Sequence, residues 1–149
     1  MDDASSPDPA RAFDFWLGAW DVFAPDGRQV GTNRIETLLD GRVLQEHWQG
    51  SGGTTGTSLN GRDGTSGRWH QTWIDSSGSV LLLDGGPRDG GMVLEGLTPN
   101  VADPTRFDRN RISWIPAAGG GEVRQLWEVS TDDGGTWTVA FDGRYRLRA

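Results

Sequence analysis

The chain has 149 residues, a formal net charge of −7 and no cysteine. That length suits one domain able to bury roughly two-thirds of its unfolded surface. The missing thiols exclude disulfides, thiolate nucleophiles and thiolate metal sites. The acidic balance argues against nucleic acid and anionic membrane surfaces as partners, since both need basic patches. Only 34% of the residues are hydrophobic, yet eight are tryptophan, and each indole can bury roughly 150–250 Å².

Met1 to Ala12 reads MDDASSPDPARA, with neither the basic region nor the apolar stretch of a signal peptide. The longest aliphatic run, Val80 to Leu83, is far too short to span a bilayer, so a cytoplasmic location is the expectation. Residues 1–9 are polar and proline-bearing and read as a flexible tail; residues 10–149 read as the domain. Ala10 to Trp16 predicts one helical turn or two, with Asp8 as cap and Pro9 at the first position. Phe13 and Trp16, three apart, would share a face.

From there every segment reads as strand. Trp20, Val22 and Ala24 alternate up to the turn Pro25-Asp26-Gly27. Val30 to Leu39 stops at Asp40-Gly41, a hairpin signal. Val43 to Gln49 leads into the loop Gly50 to Thr55, and Thr57 to Arg62 into Asp63-Gly64. Arg68 to Ile74 ends at the turn 75–78, and Val80 to Asp84 at Gly85-Gly86-Pro87. Met92 to Leu97 precedes a long irregular stretch, Thr98 to Phe107. Asn110 to Ile115, Glu122 to Val129 and Trp137 to Leu147 complete the series. The 23 glycines punctuate the chain at the spacing of short strands joined by tight turns.

No long segment after Trp16 carries helical periodicity, which excludes parallel βαβ architecture. The expected fold is all-β, a single antiparallel up-and-down barrel of about ten strands with a short N-terminal helix, because closure hides the edges of such a meander. A two-sheet sandwich is the alternative. Ten strands leave an interior wider than side chains fill, so a small-molecule cavity is expected.

Strand periodicity assigns side chains to faces. Trp69, Gln71 and Trp73 share one face, with Arg68, His70 and Thr72 opposite. Leu44, Glu46 and Trp48 share another, with Gln45, His47 and Gln49 opposite. Val123, Gln125 and Trp127 form a third, and Asn110, Ile112 and Trp114 a fourth. The recurrent inward pattern is tryptophan plus one amide or carboxylate. A buried amide without a partner costs on the order of 1–3 kcal/mol, so these groups either bond one another or meet a ligand. The expected ligand contacts are Glu46, Trp48, Asn60, Trp69, Gln71, Trp73, Asn110, Trp114, Gln125 and Trp127.

Glu46, between Leu44 and Trp48 on its face, would be desolvated and its pKa raised, which suits a general acid or base. The structural alternatives are a partner arginine, Arg34 or Arg111, or an outward position if the register is shifted by one residue. His47 and His70 fall on polar faces, and no His, Asp or Glu pair has metal-site spacing, so no metal and no cofactor is expected. Ser58 and Asn60 follow Gly56 at alternate positions and either line the pocket or face solvent. No Gly-x-Ser-x-Gly elbow is present, and the glycine runs near 52–56 and 118–121 precede no helix, so they are not phosphate cradles. Ser130-Thr131-Asp132-Asp133-Gly134-Gly135-Thr136-Trp137 resembles the Asp-box turn of sialidase-type propellers. It occurs once in a chain too short for a propeller, and reads as a stabilised turn between the last two strands.

The stretch Phe13 to Val22, FDFWLGAWDV, resembles the opening of lipocalin-like proteins of the calycin superfamily, where Gly-x-Trp (here Gly18-Ala19-Trp20) begins the first strand. The resemblance implies that this Trp plugs one barrel end beneath a cation of the last strand, Arg144 or Arg146. The order of Glu46-x-Trp48, Trp69-x-Gln71-x-Trp73 and Gln125-x-Trp127 resembles a bacterial branch of that superfamily over nearly the full length. It implies a fatty-acid-binding-protein-like barrel and a pocket, and no particular activity. The haem-binding branch uses an axial histidine near its C-terminus, which this sequence lacks. The leading expectation is a small-molecule binding protein for a ring-bearing or amphipathic ligand, monomeric or homodimeric. The alternatives are a small barrel enzyme using Glu46 as acid or base, and a scaffold barrel without ligand.

Overall fold

A computed structural model describes residues 8–148, so most of the expected tail lies outside the described residues. Asp8 caps a short 3-10 turn, Pro9–Arg11, by accepting from the Ala10 amide at 3.0 Å, with Pro9 at the first position, as the sequence predicts. A second turn, Asp14–Trp16, follows. These are the one or two helical turns expected over this stretch, and Phe13 and Trp16 share a face as their spacing implies, stacked with centroids 5.0 Å apart and both fully buried. This aromatic pair closes one end of the molecule.

Ten strands follow: β1 (Gly18–Phe23), β2 (Gln29–Leu38), β3 (Val43–Gly50), β4 (Thr55–Arg62), β5 (Trp69–Asp75), β6 (Val80–Arg88), β7 (Gly91–Pro99), β8 (Phe107–Pro116), β9 (Glu122–Ser130) and β10 (Thr138–Leu147). Each pairs antiparallel with its neighbour in sequence, and β1 pairs with β10, so the sheet is one closed barrel and not a sandwich. The strands match the expected segments closely, with two differences. β6 runs through Gly85-Gly86-Pro87 instead of turning there. The turn falls at Asp89-Gly90, whose φ values of 53° and 81° are the left-handed pair a tight hairpin needs. The loop before β8 shrinks to residues 100–106, held by the Asn100 side chain accepting from the amides of Ala102 and Asp103. No helix among the described residues is long and apolar enough to cross a membrane.

The closed end holds the apolar core. Phe13 meets Trp69 and Trp114 edge-on at 5.8 and 5.1 Å, and Trp16 lies 5.4 Å from Trp114. Trp20 donates its indole N–H to the Trp16 carbonyl at 2.8 Å and packs against Tyr145 at 5.9 Å. No last-strand arginine covers Trp20. Tyr145 takes the inward position of β10, so Arg144 and Arg146 on either side of it point outward, where Arg144 meets Asp142 and Arg146 lies over Phe23 at 4.9 Å.

Candidate ligand-binding cavity

All four expected tryptophan faces point into the barrel, but they occupy two levels. Trp69 and Trp114 belong to the closed end and are packed solid with Phe13. Trp48, Trp73 and Trp127 each lie two residues beyond a polar side chain on the same strand (Glu46, Gln71 and Gln125) and line a cavity of about 210 Å³ at the opposite end. Phe141, Leu81, Ile112, Tyr145, Thr54 and Asp75 complete most of its wall. Of the ten expected ligand contacts, six line this cavity, while Asn60, Trp69, Asn110 and Trp114 do not. Asn60 is a link in the network beneath, and Asn110 accepts from the Trp127 indole at 3.0 Å, fixing that ring from outside the cavity.

The rings are seated against glycines. A methyl group on Gly56 would sit 2.2 Å from the Trp73 ring, one on Gly31 2.6 Å from Trp48, and one on Gly143 2.5 Å from Phe141. Each glycine faces inward, so its missing side chain lets an aromatic ring lie flat against the barrel wall and leaves the centre open. Trp48 and Phe141 then meet edge-on at 5.9 Å. The Trp73 indole donates to Asp75 at the mouth, at 3.1 Å.

Beneath the rings runs a continuous polar chain. Gln71 Nε2 donates to Asn60 Oδ1 at 2.7 Å, and Asn60 Nδ2 to Ser58 Oγ at 2.9 Å. Ser58 then donates to Glu46 Oε1 at 2.7 Å. From the other side Asn33 Nδ2 donates to Glu46 Oε2 at 2.7 Å and to the Tyr145 hydroxyl at 2.8 Å, and that hydroxyl donates to Gln125 Oε1 at 2.7 Å. The register builds this chain: Glu46 stands opposite Ile35 on β2 and Ser58 on β4, and Asn60 opposite Gln71 on β5. Ser58 and Asn60 therefore face the interior, but beneath the cavity: neither lines it nor faces solvent.

Glu46 is only 4% exposed. Burial pushes its carboxyl from 4.5 up to about 7, and the hydrogen bonds from Ser58 and Asn33 offset only part of that. Neither arginine expected as its partner reaches it: Arg34 pairs with Glu36 and Arg111 with Glu128, both outside the barrel. Burial and the nearby Glu46 charge hold Tyr145 well above its ordinary value, so it stays a neutral hydroxyl. At the mouth, burial works to raise Asp75, but hydrogen bonds from Ser77, Trp73 and the backbone outweigh it and hold the carboxyl below its usual range.

Phe141, Tyr145, Asp75 and Asn33 were not among the expected contacts. Phe141, Gly143 and Tyr145 alternate on β10 in unbroken register with Trp127, Gln125 and Val123 of β9, but that face carries no tryptophan and has a glycine at its centre. Gly31, Asn33 and Ile35 do alternate, but glycine and asparagine give that face no apolar signal.

The fold and cavity together define a class, a closed ten-strand antiparallel up-and-down barrel with an aromatic cup, compatible with a lipocalin-like fold. A barrel with this buried aromatic cluster can hold a ligand. No protein-family model matches the sequence, and no curated protein matches it.

Proposed function

We propose that this protein binds a small, ring-bearing molecule in the cup bounded by Trp48, Trp73, Trp127 and Phe141. The observation that carries the reading is an open space where side chains would ordinarily fill the barrel. Inward glycines at 31, 56 and 143 hold three rings against the wall and keep about 210 Å³ clear. A space of that size suits a single ring with a short substituent, since an apolar cavity of about 150 Å³ already takes a benzene. The Gln71 Oε1 and Gln125 Nε2 atoms have no hydrogen-bond partner among the described residues and are free to orient a polar substituent. An enzymatic reading centred on Glu46 gains less support, because both carboxylate oxygens are already engaged by Ser58 and Asn33.

Titration of single-ring compounds against the intrinsic tryptophan fluorescence tests the proposal. Saturable quenching that is lost on Trp127→Ala is the expected result. Quenching that survives Trp127→Ala and Trp73→Ala alike would place the binding elsewhere and refute it.

A further inference from the structure

Among the residues that line the cavity, the two that ionise in the ordinary pH range, Glu46 and Asp75, are both acidic; no arginine or histidine is present. This is not for want of cations, since the chain carries fourteen arginines and no lysine. Among the described residues, those arginines within ion-pairing distance of an acid are paired on or near the outer surface.

The network under the rings points one way. Ser58 and Asn33 both donate into Glu46, as they would into a carboxylate anion, yet both donors are neutral. The Asn33 carbonyl oxygen is itself buried without a donor. A buried carboxylate with hydrogen bonds and no counter-charge leaves most of its desolvation cost unmet. What the site lacks is a positive charge that also donates hydrogen bonds. Directly above it stand three indoles and a phenyl ring, the side chains whose faces attract cations, with tryptophan the strongest.

We infer that the ligand is an organic cation, a protonated amine or quaternary ammonium group attached to a ring, with Glu46 as its counter-charge and Trp48, Trp73, Trp127 and Phe141 as its cage. The inference rests on the binding reading above and gives the ligand its charge. Asp75 at the mouth, held ionised by its hydrogen bonds, adds a negative field along the entrance, and the net charge of −7 works in the same direction on the approaching ligand.

The test is calorimetric titration of the full chain near pH 8 with three probes of similar shape: phenethylammonium, hydrocinnamyl alcohol and hydrocinnamate. Phenethylammonium should bind tightest and hydrocinnamate weakest. Glu46→Gln should weaken the amine by roughly tenfold or more, the value of one charge-assisted contact, and so narrow or abolish the amine's advantage over the alcohol. Binding of the alcohol or the carboxylate as tight as that of the amine would overturn the cation inference and leave the cavity reading standing. Binding of none of the three would overturn the cavity reading itself. Should Glu46→Gln fail to fold, the ranking of the probes on the unaltered chain decides.

Discussion

Glu46→Gln makes the sharpest stability prediction. The carboxyl titrates at about 7 in the fold against 4.5 as its ordinary value, because burial penalises the charged form. A folded state that holds a proton more tightly than the unfolded chain loses stability as pH rises between those two values. Below the lower value Glu46 is protonated in both states and contributes nothing; above the upper one its full penalty is present. At 1.36 kcal/mol per pH unit the penalty is about 3 kcal/mol. The groups facing Glu46 do not blur this window. Asn33 on β2, Ser58 on β4 and Gln71 on β5 are neutral, Tyr145 on β10 keeps its proton, and Asp75 at the mouth is ionised throughout. Glutamine mimics the neutral carboxyl. In urea denaturation the variant should gain on the wild type as pH rises from about 4.5 through about 7 and level off above that, by about 3 kcal/mol in total. Taking the difference between the two proteins cancels every other titrating group. A difference that does not change with pH would refute the assignment of Glu46 as a buried, uncompensated acid.

Gly56→Ala places a methyl 2.2 Å from the Trp73 ring, so the indole must swing into the cavity. The expected cost is about 1–3 kcal/mol, seen in the urea midpoint, together with loss of ligand-induced fluorescence change. Phe13→Ala removes a fully buried ring at the junction of Trp16, Trp69 and Trp114 and should cost about 3–5 kcal/mol in the same assay. Asp132→Ala removes the acceptor for Thr136 and Ser130 in the turn before β10. Hydrogen bonds from Thr136 hold that carboxyl at about 2, below its unfolded value. The stability it adds is therefore present at neutral pH and lost as pH falls towards 2, and the urea midpoints of wild type and variant should converge over that range. If the cup takes a cation, its affinity should rise with pH as Glu46 ionises, with a proton released on binding that calorimetry in buffers of different ionisation enthalpy detects.

The strand order and most of the inward faces were legible because period-two alternation is strong wherever tryptophan recurs at i, i+2. Trp69-Gln71-Trp73 and Glu46-Trp48 are read correctly from that pattern alone. Depth along the barrel axis was not legible. Alternation places Trp69 and Trp73 on the same face without saying that one is sealed under Phe13 while the other borders open space. The three glycines that seat the rings read only as turn or strand-breaking residues, since their role depends on which ring lies across the strand from them. The turn expected at Gly85-Gly86-Pro87 falls at Asp89-Gly90, because one residue of local geometry outweighs the composition around it. In place of the arginine expected over Trp20 stands Tyr145, whose hydroxyl the interior network uses.

The most direct test of the two-level arrangement is fluorine NMR of the protein labelled with fluorotryptophan, each resonance assigned by single Trp→Phe replacement, during titration with phenethylammonium. The resonances of Trp48, Trp73 and Trp127 should shift saturably together, while those of Trp16, Trp69 and Trp114 stay in place. Shifts confined to the closed-end indoles, or to Trp137 on the outer wall, would contradict a ligand site in the cup.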